Sequence, residues 1–522
     1  MTRRQFLSTA TAVTLAAPML RKERLVSTDP PEPDEYIRVA RDRWTFVGER
    51  TGRRFVPFGS NLVLTDKADL DIFGPRFSVE RYDRILAACQ GLGINILKVF
   101  LPIGKILPDP QPNDRAAIAP GYVENLTAFL NICRRRSIRA VVTLAEWWGM
   151  DCQWWQQGGQ YYGRRPWRTD AGPDSIAVLC DFWRQLCTRL RDNPAVFAYS
   201  PVVELTTPSG NLTPPWMPPE DQIGIMPGEI ALWYWRRWLQ AKYHTLDALN
   251  RAWGSAHRSF ESIPSVTYAY DFTAHAYAEP EMMLLDYQNF REWTTMRYLL
   301  PQIAAIRKAD RRHMVTISNH ERSWNLWTGA ARHFLGYTPA EQTPYVDYVT
   351  LHFNKDERAL ERAPLEQHLR ELEVLLRFSR TGVPRPVVLE EFTFGSTDPQ
   401  KTAEVQSLMV RRTIGHAAGW ITWYLQYPKD AHPLADTVYP SAWLTEDLKP
   451  TPWGTAAKGL AEELGRADLS RKPPRRVVFL DRKTELVPKK TGVLLETFFR
   501  YDQLEQPTDY RVRYERDLQL RL

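Results

Sequence analysis

The chain predicts a closed (β/α)₈ barrel, and three observations carry that prediction. Eight short β-branched or apolar runs alternate with longer amphipathic stretches, the signature of βα units around a parallel sheet. No G-x-G-x-x-G or G-x-x-x-x-G-K-[ST] turn follows any of these runs, which removes the dinucleotide and P-loop folds. Several runs end in carboxylates or histidine, at the strand ends where barrel enzymes place their chemistry.

In chain order the strand candidates are FVPFGSNL (55–62), NILKVFLP (95–102), RAVVTLAEW (139–147) and VFAYSPVVEL (196–205). Four more follow: HMVTISN (313–319), VDYVTLHF (346–353), RPVVLEEF (385–392) and GWITWYLQ (419–426). Between the fourth and fifth lie more than a hundred residues, in which a Pro-rich loop leads into IALWYWRRWLQAKYHTLDALNRAWG, whose apolar spacing is helical. This predicts a helical insertion at about 208–290 on the loop face that shapes substrate clefts. The domain plan is therefore an export signal and linker (1–35), the barrel with its insertion (36–465) and a small β-rich extension (466–522).

The N-terminus sets Arg3 and Arg4 before an Ala/Thr-rich apolar run, the layout of a twin-arginine signal. The protein is thus expected to be exported to the periplasm or beyond, with no membrane association once the signal is removed. The formal charge of +7 comes from 68 basic and 61 acidic residues spread along the chain, which gives no reason to expect nucleic acid as a partner. Five cysteines lie far apart without C-x-x-C spacing and read as buried thiols with room for one disulfide among them and an odd one left unpaired. No His/Cys/Asp cluster has ligand spacing, so neither metal nor other cofactor is expected.

Chemistry gathers at the strand ends. Glu146 closes the third candidate, Glu204 the fourth, His352 the sixth, and Glu390 with Glu391 the seventh. Two carboxylates across a barrel mouth suit glycoside cleavage, one protonating the leaving oxygen while the other attacks or stabilises the anomeric carbon. Strand alternation predicts that only one of Glu390 and Glu391 faces the mouth, the other pointing behind the sheet. Among 19 tryptophans, Trp147, Trp148, Trp154 and Trp155 cluster after the third strand, suited both to sugar stacking and to packing. His352 and Asn319 could hydrogen-bond substrate hydroxyls, and Glu146 could bind one or bridge to an arginine.

Glu204 at the end of strand four and Glu391 in RPVVLEEFTFG resemble the acid/base and nucleophile of clan A glycoside hydrolases, which include family 5 cellulases and mannanases and family 42 β-galactosidases. GINILKVFLP, VDYVTLHF and GWITWYLQY support the resemblance, which covers roughly residues 40 to 460, and the segment 236–264 is similar to one common in family 42. It implies a retaining β-glycosidase with a carbohydrate substrate, Glu390 in a supporting role and Trp423 as a sugar platform. Two departures stand out. Val203 occupies the place of the clan's Asn before the acid/base, and Lys98 that of the Arg paired with the nucleophile. They leave open a second reading, a catalytically impaired barrel that binds carbohydrate without cleaving it.

Overall fold

A computed structural model describes residues 30–64, 71–109, 113–145, 154–155, 160–163, 172–204, 229–264, 270–271, 276–277, 281–319, 339–380, 382–426, 441–474, 476–481 and 508–513. Eight parallel strands form the predicted barrel: β1 (Phe58–Asn61), β2 (Ile96–Pro102), β3 (Arg139–Ala145), β4 (Val196–Ser200), β5 (Met314–Val315), β6 (Val349–Asp356), β7 (Val387–Gly395) and β8 (Gly419–Thr422). Each pairs with its sequence neighbour except β5 with β6, the two edges of the sheet, and β8 pairs back onto β1. Between β5 and β6 the ring is closed by two backbone bonds, Asp347 N to Val315 O and His352 N to Asn319 O, both 2.9 Å. Thr350 reinforces that seam, its Oγ1 donating to Ile317 O (2.8 Å) and accepting from Asn319 N (3.0 Å).

Helices follow the strands and begin where the sequence supplies caps. Ser78 caps α1 (Val79–Gly91), and α2 (Tyr122–Arg135) follows β2. Asp174 caps α3 (Ser175–Leu190) by accepting from Ile176 N and Ala177 N. Such side-chain oxygens satisfy amide donors that the first turn leaves free. At one point the strands touch so closely that only glycine fits: a Cβ on Gly59 of β1 would lie 1.9 Å from Ile96 O of β2.

The insertion is helical as expected, with α4 (Glu229–Tyr243) and α5 (Leu246–Trp253) packed on the first half of the 29-residue α6 (Glu281–Ala309). After β6 and β7 come α7 (Leu365–Phe378) and α8 (Pro399–Arg412), and α9 (Pro452–Arg466) closes the barrel region. The C-terminal extension contributes a two-stranded parallel sheet, β9 (Arg476–Asp481) with β10 (Thr508–Arg513).

An antiparallel meander ahead of β1 went unread in the sequence. Its strands, Ile37–Val39, Phe46–Gly48 and Arg54–Phe55, are three, three and two residues long, too short to show a period. Ile37, Phe46 and Phe55 pack with Ile96, Val141, Phe197, Met314 and Val388 near the starts of the barrel strands, plugging the end opposite the site. Cys89, Cys133, Cys180 and Cys187 are free thiols, so no disulfide forms among the described residues. No described helix is long and apolar enough to cross a membrane. The twin-arginine segment lies outside the described residues.

Candidate active site

Side chains from within β2, β6 and β7, with the segments that follow β4 and β5, converge on one ionised cluster; β6 and β7 run on past His352 and Glu391 instead of ending there as the sequence suggested. Its floor is Lys98, wholly buried on β2, whose Nζ donates to Ser318 Oγ (2.7 Å) and Glu390 Oε2 (3.0 Å). The same ammonium is 4.0 Å from Glu391 Oε2. Ser318 Oγ passes its single proton to Glu390 Oε2 (2.9 Å) and sits 2.9 Å from His352 Nε2. On the other side of the ring, His352 Nδ1 lies 2.5 Å from Glu204 Oε1 and 3.4 Å from Glu391 Oε2.

Both Glu390 and Glu391 face this interior, which corrects the expectation from alternation. The cause is a β-bulge: Leu351 of β6 pairs with Leu389, but His352 pairs with Glu391, so Glu390 is the extra residue. A bulge leaves one residue unpaired and resets the alternation, bringing two successive side chains to the same side. Asn61 on β1 holds the bulge, its Nδ2 donating to the carbonyls of Glu390 (3.1 Å) and Thr422 (2.9 Å).

Hydrogen-bond bookkeeping fixes the proton states. Ser318 already donates to Glu390, so its oxygen accepts from His352 Nε2, while Nδ1 donates to the Glu204 carboxylate. Both ring nitrogens then carry protons, and the ring is an imidazolium. Burial alone would discharge it, but the charges of Glu391 and Glu204 prevail and raise its pKa to about 9. Burial likewise opposes the charge on Glu390, yet Lys98 and His352 pull it down to about 2. Glu391 goes the other way, up to about 7, because burial is reinforced by the charge of Glu204 and only partly countered by His352. Glu204 stands in the left-handed backbone region (φ 47°), held by its N–H donating to Ser318 O (3.0 Å). Such a conformation is uncommon for a non-glycine residue and concentrates at functional sites.

The remaining predicted residues fall in several places. Lys98 is buried beneath the carboxylates. Asn319 is 1 % exposed and donates Nδ2 to Ile317 O (3.1 Å) in the β5–β6 seam. Val203 packs with Val63, Phe100, Ala145, Tyr424 and Ala442 in an apolar cluster at the mouth, with Trp423 half-buried beside it, edge-on to Phe100. Trp154 donates Nε1 to Leu107 O (2.7 Å) and Trp155 packs edge-on to Tyr161, so both are buried in the core. Glu146, Trp147 and Trp148 lie outside the described residues.

Two members of the site were missed. Asn354, whose Nδ2 is 3.5 Å from Glu391 Oε1, is two residues beyond His352 on β6, and alternation would have placed it on the same face. Ser318 immediately precedes Asn319, and only the parity of the strand end separates the two. Glu204, His352 and Glu391 each bring a ligand-type atom within 4.8 Å of the other two. Here the three are tied to one another, His352 Nδ1 standing 2.5 Å from Glu204 Oε1 and 3.4 Å from Glu391 Oε2.

Comparison with known proteins matches residues 227–424 to the family model described as Glyco_hydro_42: Beta-galactosidase. Among solved structures, the chain is similar to a GH5_18 protein from Streptomyces cattleya in complex with Manβ1-4GlcNAc, at TM-score 0.55 and 14 % identity, covering 88 % of this chain and 94 % of that one. It is also similar to the β-galactosidase of the Antarctic haloarchaeon Halorubrum lacusprofundi, at TM-score 0.59 and 16 % identity over 87 % of this chain and 66 % of the other. A third is the exo-β-1,4-mannosidase of Opitutaceae bacterium strain TAV5, at TM-score 0.55 and 14 % identity, with 93 % and 72 % covered. None of the curated protein sequences matches.

Proposed function

We propose that this chain, an O-glycosyl hydrolase of clan A by its matched segment and its barrel, cleaves a β-linked mannoside, glucoside or galactoside with retention of configuration. The observation that carries the reading is the closeness of Glu204 and Glu391, whose oxygens lie within 4.8 Å of each other. Carboxyl groups roughly 5 Å apart suit direct attack by one of them, whereas inversion leaves a wider gap, roughly 6.5–9.5 Å, for a water.

In this mechanism the pair holds one proton, which passes from Glu391 to Glu204, so that ionised Glu391 attacks the anomeric carbon while Glu204 protonates the departing oxygen. Glu204 then takes a proton from water, which hydrolyses the glycosyl–Glu391 ester. His352 holds Glu204 through Nδ1 and lies under both carboxylates, where its charge steadies whichever is ionised. Lys98 and Ser318 orient that ring from below. Val203 offers no hydrogen bond to a sugar hydroxyl, so that contact falls to another group, and the Asn354 amide stands 3.5 Å from Glu391. Trp423 at the mouth supports a stacking role for a sugar ring. The paired arginines at the N-terminus support export as a folded protein.

Hydrolysis of aryl β-mannosides, β-glucosides and β-galactosides by the purified protein, beside Glu391→Gln, tests the reading. Turnover of one class that vanishes in the variant is the expected result. Equal sugar binding by both proteins with no turnover by either would make this a carbohydrate-binding barrel instead.

A further inference from the structure

Two carboxylates on successive residues compete for one ammonium. Lys98 Nζ stands 3.0 Å from Glu390 Oε2 and 4.0 Å from Glu391 Oε2, and it is the one lysine in this buried cluster among the described residues. The competition exists because the bulge turns Glu390 inward, and Asn61 pins the carbonyl of the bulged residue. Ser318 adds its proton to the same oxygen of Glu390 that Lys98 holds, so Glu390 keeps the stronger share.

We infer that Glu390 is a positioning residue that draws the Lys98 ammonium away from Glu391, and thereby sets the pH up to which the Glu204–Glu391 pair keeps the one proton its chemistry needs. The inference rests on the assignment of Glu391 as nucleophile. The charged groups acting on Glu391 are His352 from β6, Glu204 from the end of β4, Lys98 from β2 and Glu390 from its own strand. Burial and the charge of Glu390 together hold the hydroxyl of Tyr348, just ahead of β6, well above its usual range. With Lys98 satisfied elsewhere, two nearby carboxylates and a dry setting favour the pair's proton on Glu391, from which it passes to Glu204 as Glu391 attacks; its loss to solvent leaves the pair without an acid. The direction of its titration, raised to about 7, accords with this geometry.

Removing either partner moves the basic limb of kcat/KM in opposite directions, which a merely structural role would not do. Glu390→Gln removes a like charge and frees the ammonium to face Glu391, so the limb should fall by about one pH unit or more, the usual effect of an opposite charge at this range. Lys98→Met removes the cation, and the limb should rise. If Glu390→Gln leaves the limb in place, or if both variants shift it the same way, the inference is wrong.

The Glu391 carboxyl can also be titrated directly, by NMR of protein carrying ¹³C-carboxyl glutamate, its signal assigned as the one lost in Glu391→Gln. A midpoint that falls in Glu390→Gln supports the inference whatever the turnover, and an unmoved midpoint overturns it. Turnover surviving in Glu391→Gln would instead refute the nucleophile assignment, so the two failures are distinct. Circular dichroism and thermal melting of each variant confirm that a folded protein is being titrated.

Discussion

At the scale of single residues, the site is a chain of donors and acceptors in which each proton has one place to go. Lys98 donates to Ser318 and Glu390, Ser318 to Glu390, and His352 to Ser318 and Glu204. The acid/base role proposed for Glu204 has a sharp consequence. Glu204→Ala should lose about 10²–10⁴-fold on substrates whose leaving group needs protonation, and far less on the first step with an activated aryl leaving group. Its second step lacks a base, so azide, which needs none, should restore turnover and yield a β-glycosyl azide. Equal losses for good and poor leaving groups, with no azide rescue, would remove Glu204 from that role. Glu204, Glu391 and His352 were readable from the sequence because each ends an apolar run, where charge is costly without a purpose. Lys98 was readable as a charge inside such a run, though not as the floor of the cluster. Ser318 was not, since it does not stand out chemically from the many Ser at strand ends, and Asn354 was readable only through its alternation with His352.

At the scale of elements, the lesson lies in β7. The strand itself was plain from RPVVLEEF, but its alternation was not, because one inserted residue opposite β6 rotates everything after Leu389. Nothing in a single sequence marks that bulge. It is fixed by a residue more than three hundred positions away, Asn61, whose amide spans the Glu390 and Thr422 carbonyls of two neighbouring strands. Asn61→Ala should leave both buried carbonyls short of a donor, at a cost of about 1–3 kcal/mol in urea unfolding. Its effect on kcat should be larger in proportion, tenfold or more, because a misplacement of about 1 Å at the reacting groups can cost about 10²-fold. A stability loss with kcat unchanged would show that the bulge keeps its shape without this clamp. The remaining barrel strands were legible because parallel barrel strands are buried on both faces and read as continuous apolar runs. The N-terminal meander, built from strands of two or three residues, offered no such run.

At the scale of the molecule, one helix joins two cores. The first half of α6 supplies Met283, Tyr287, Phe290 and Trp293 to the aromatic cluster of the insertion, with Trp235, Trp238 and Trp253. Its second half supplies Tyr298, Leu299, Ile303 and Ile306 to the barrel core. The insertion follows the carboxyl end of β4, so this aromatic core sits on the face that carries Glu204. Its polar centre is Asp286, wholly buried, which accepts from Lys242 Nζ (2.9 Å), Tyr243 Oη (2.5 Å) and Trp253 Nε1 (2.8 Å), tying α4 and α5 to α6. Removing that carboxylate strands three donors, one of them charged, in an apolar setting, and breaking a buried pair in this way costs about 3–5 kcal/mol. Asp286→Ala should therefore loosen the insertion before the barrel. Hydrogen exchange should speed up across 229–253 and 281–293 while 298–309 and the barrel strands stay protected, and KM should rise more than kcat falls. Exchange that accelerates equally in both halves of α6 would instead mean that insertion and barrel unfold as one cooperative unit, with the helix transmitting the loss from one core to the other.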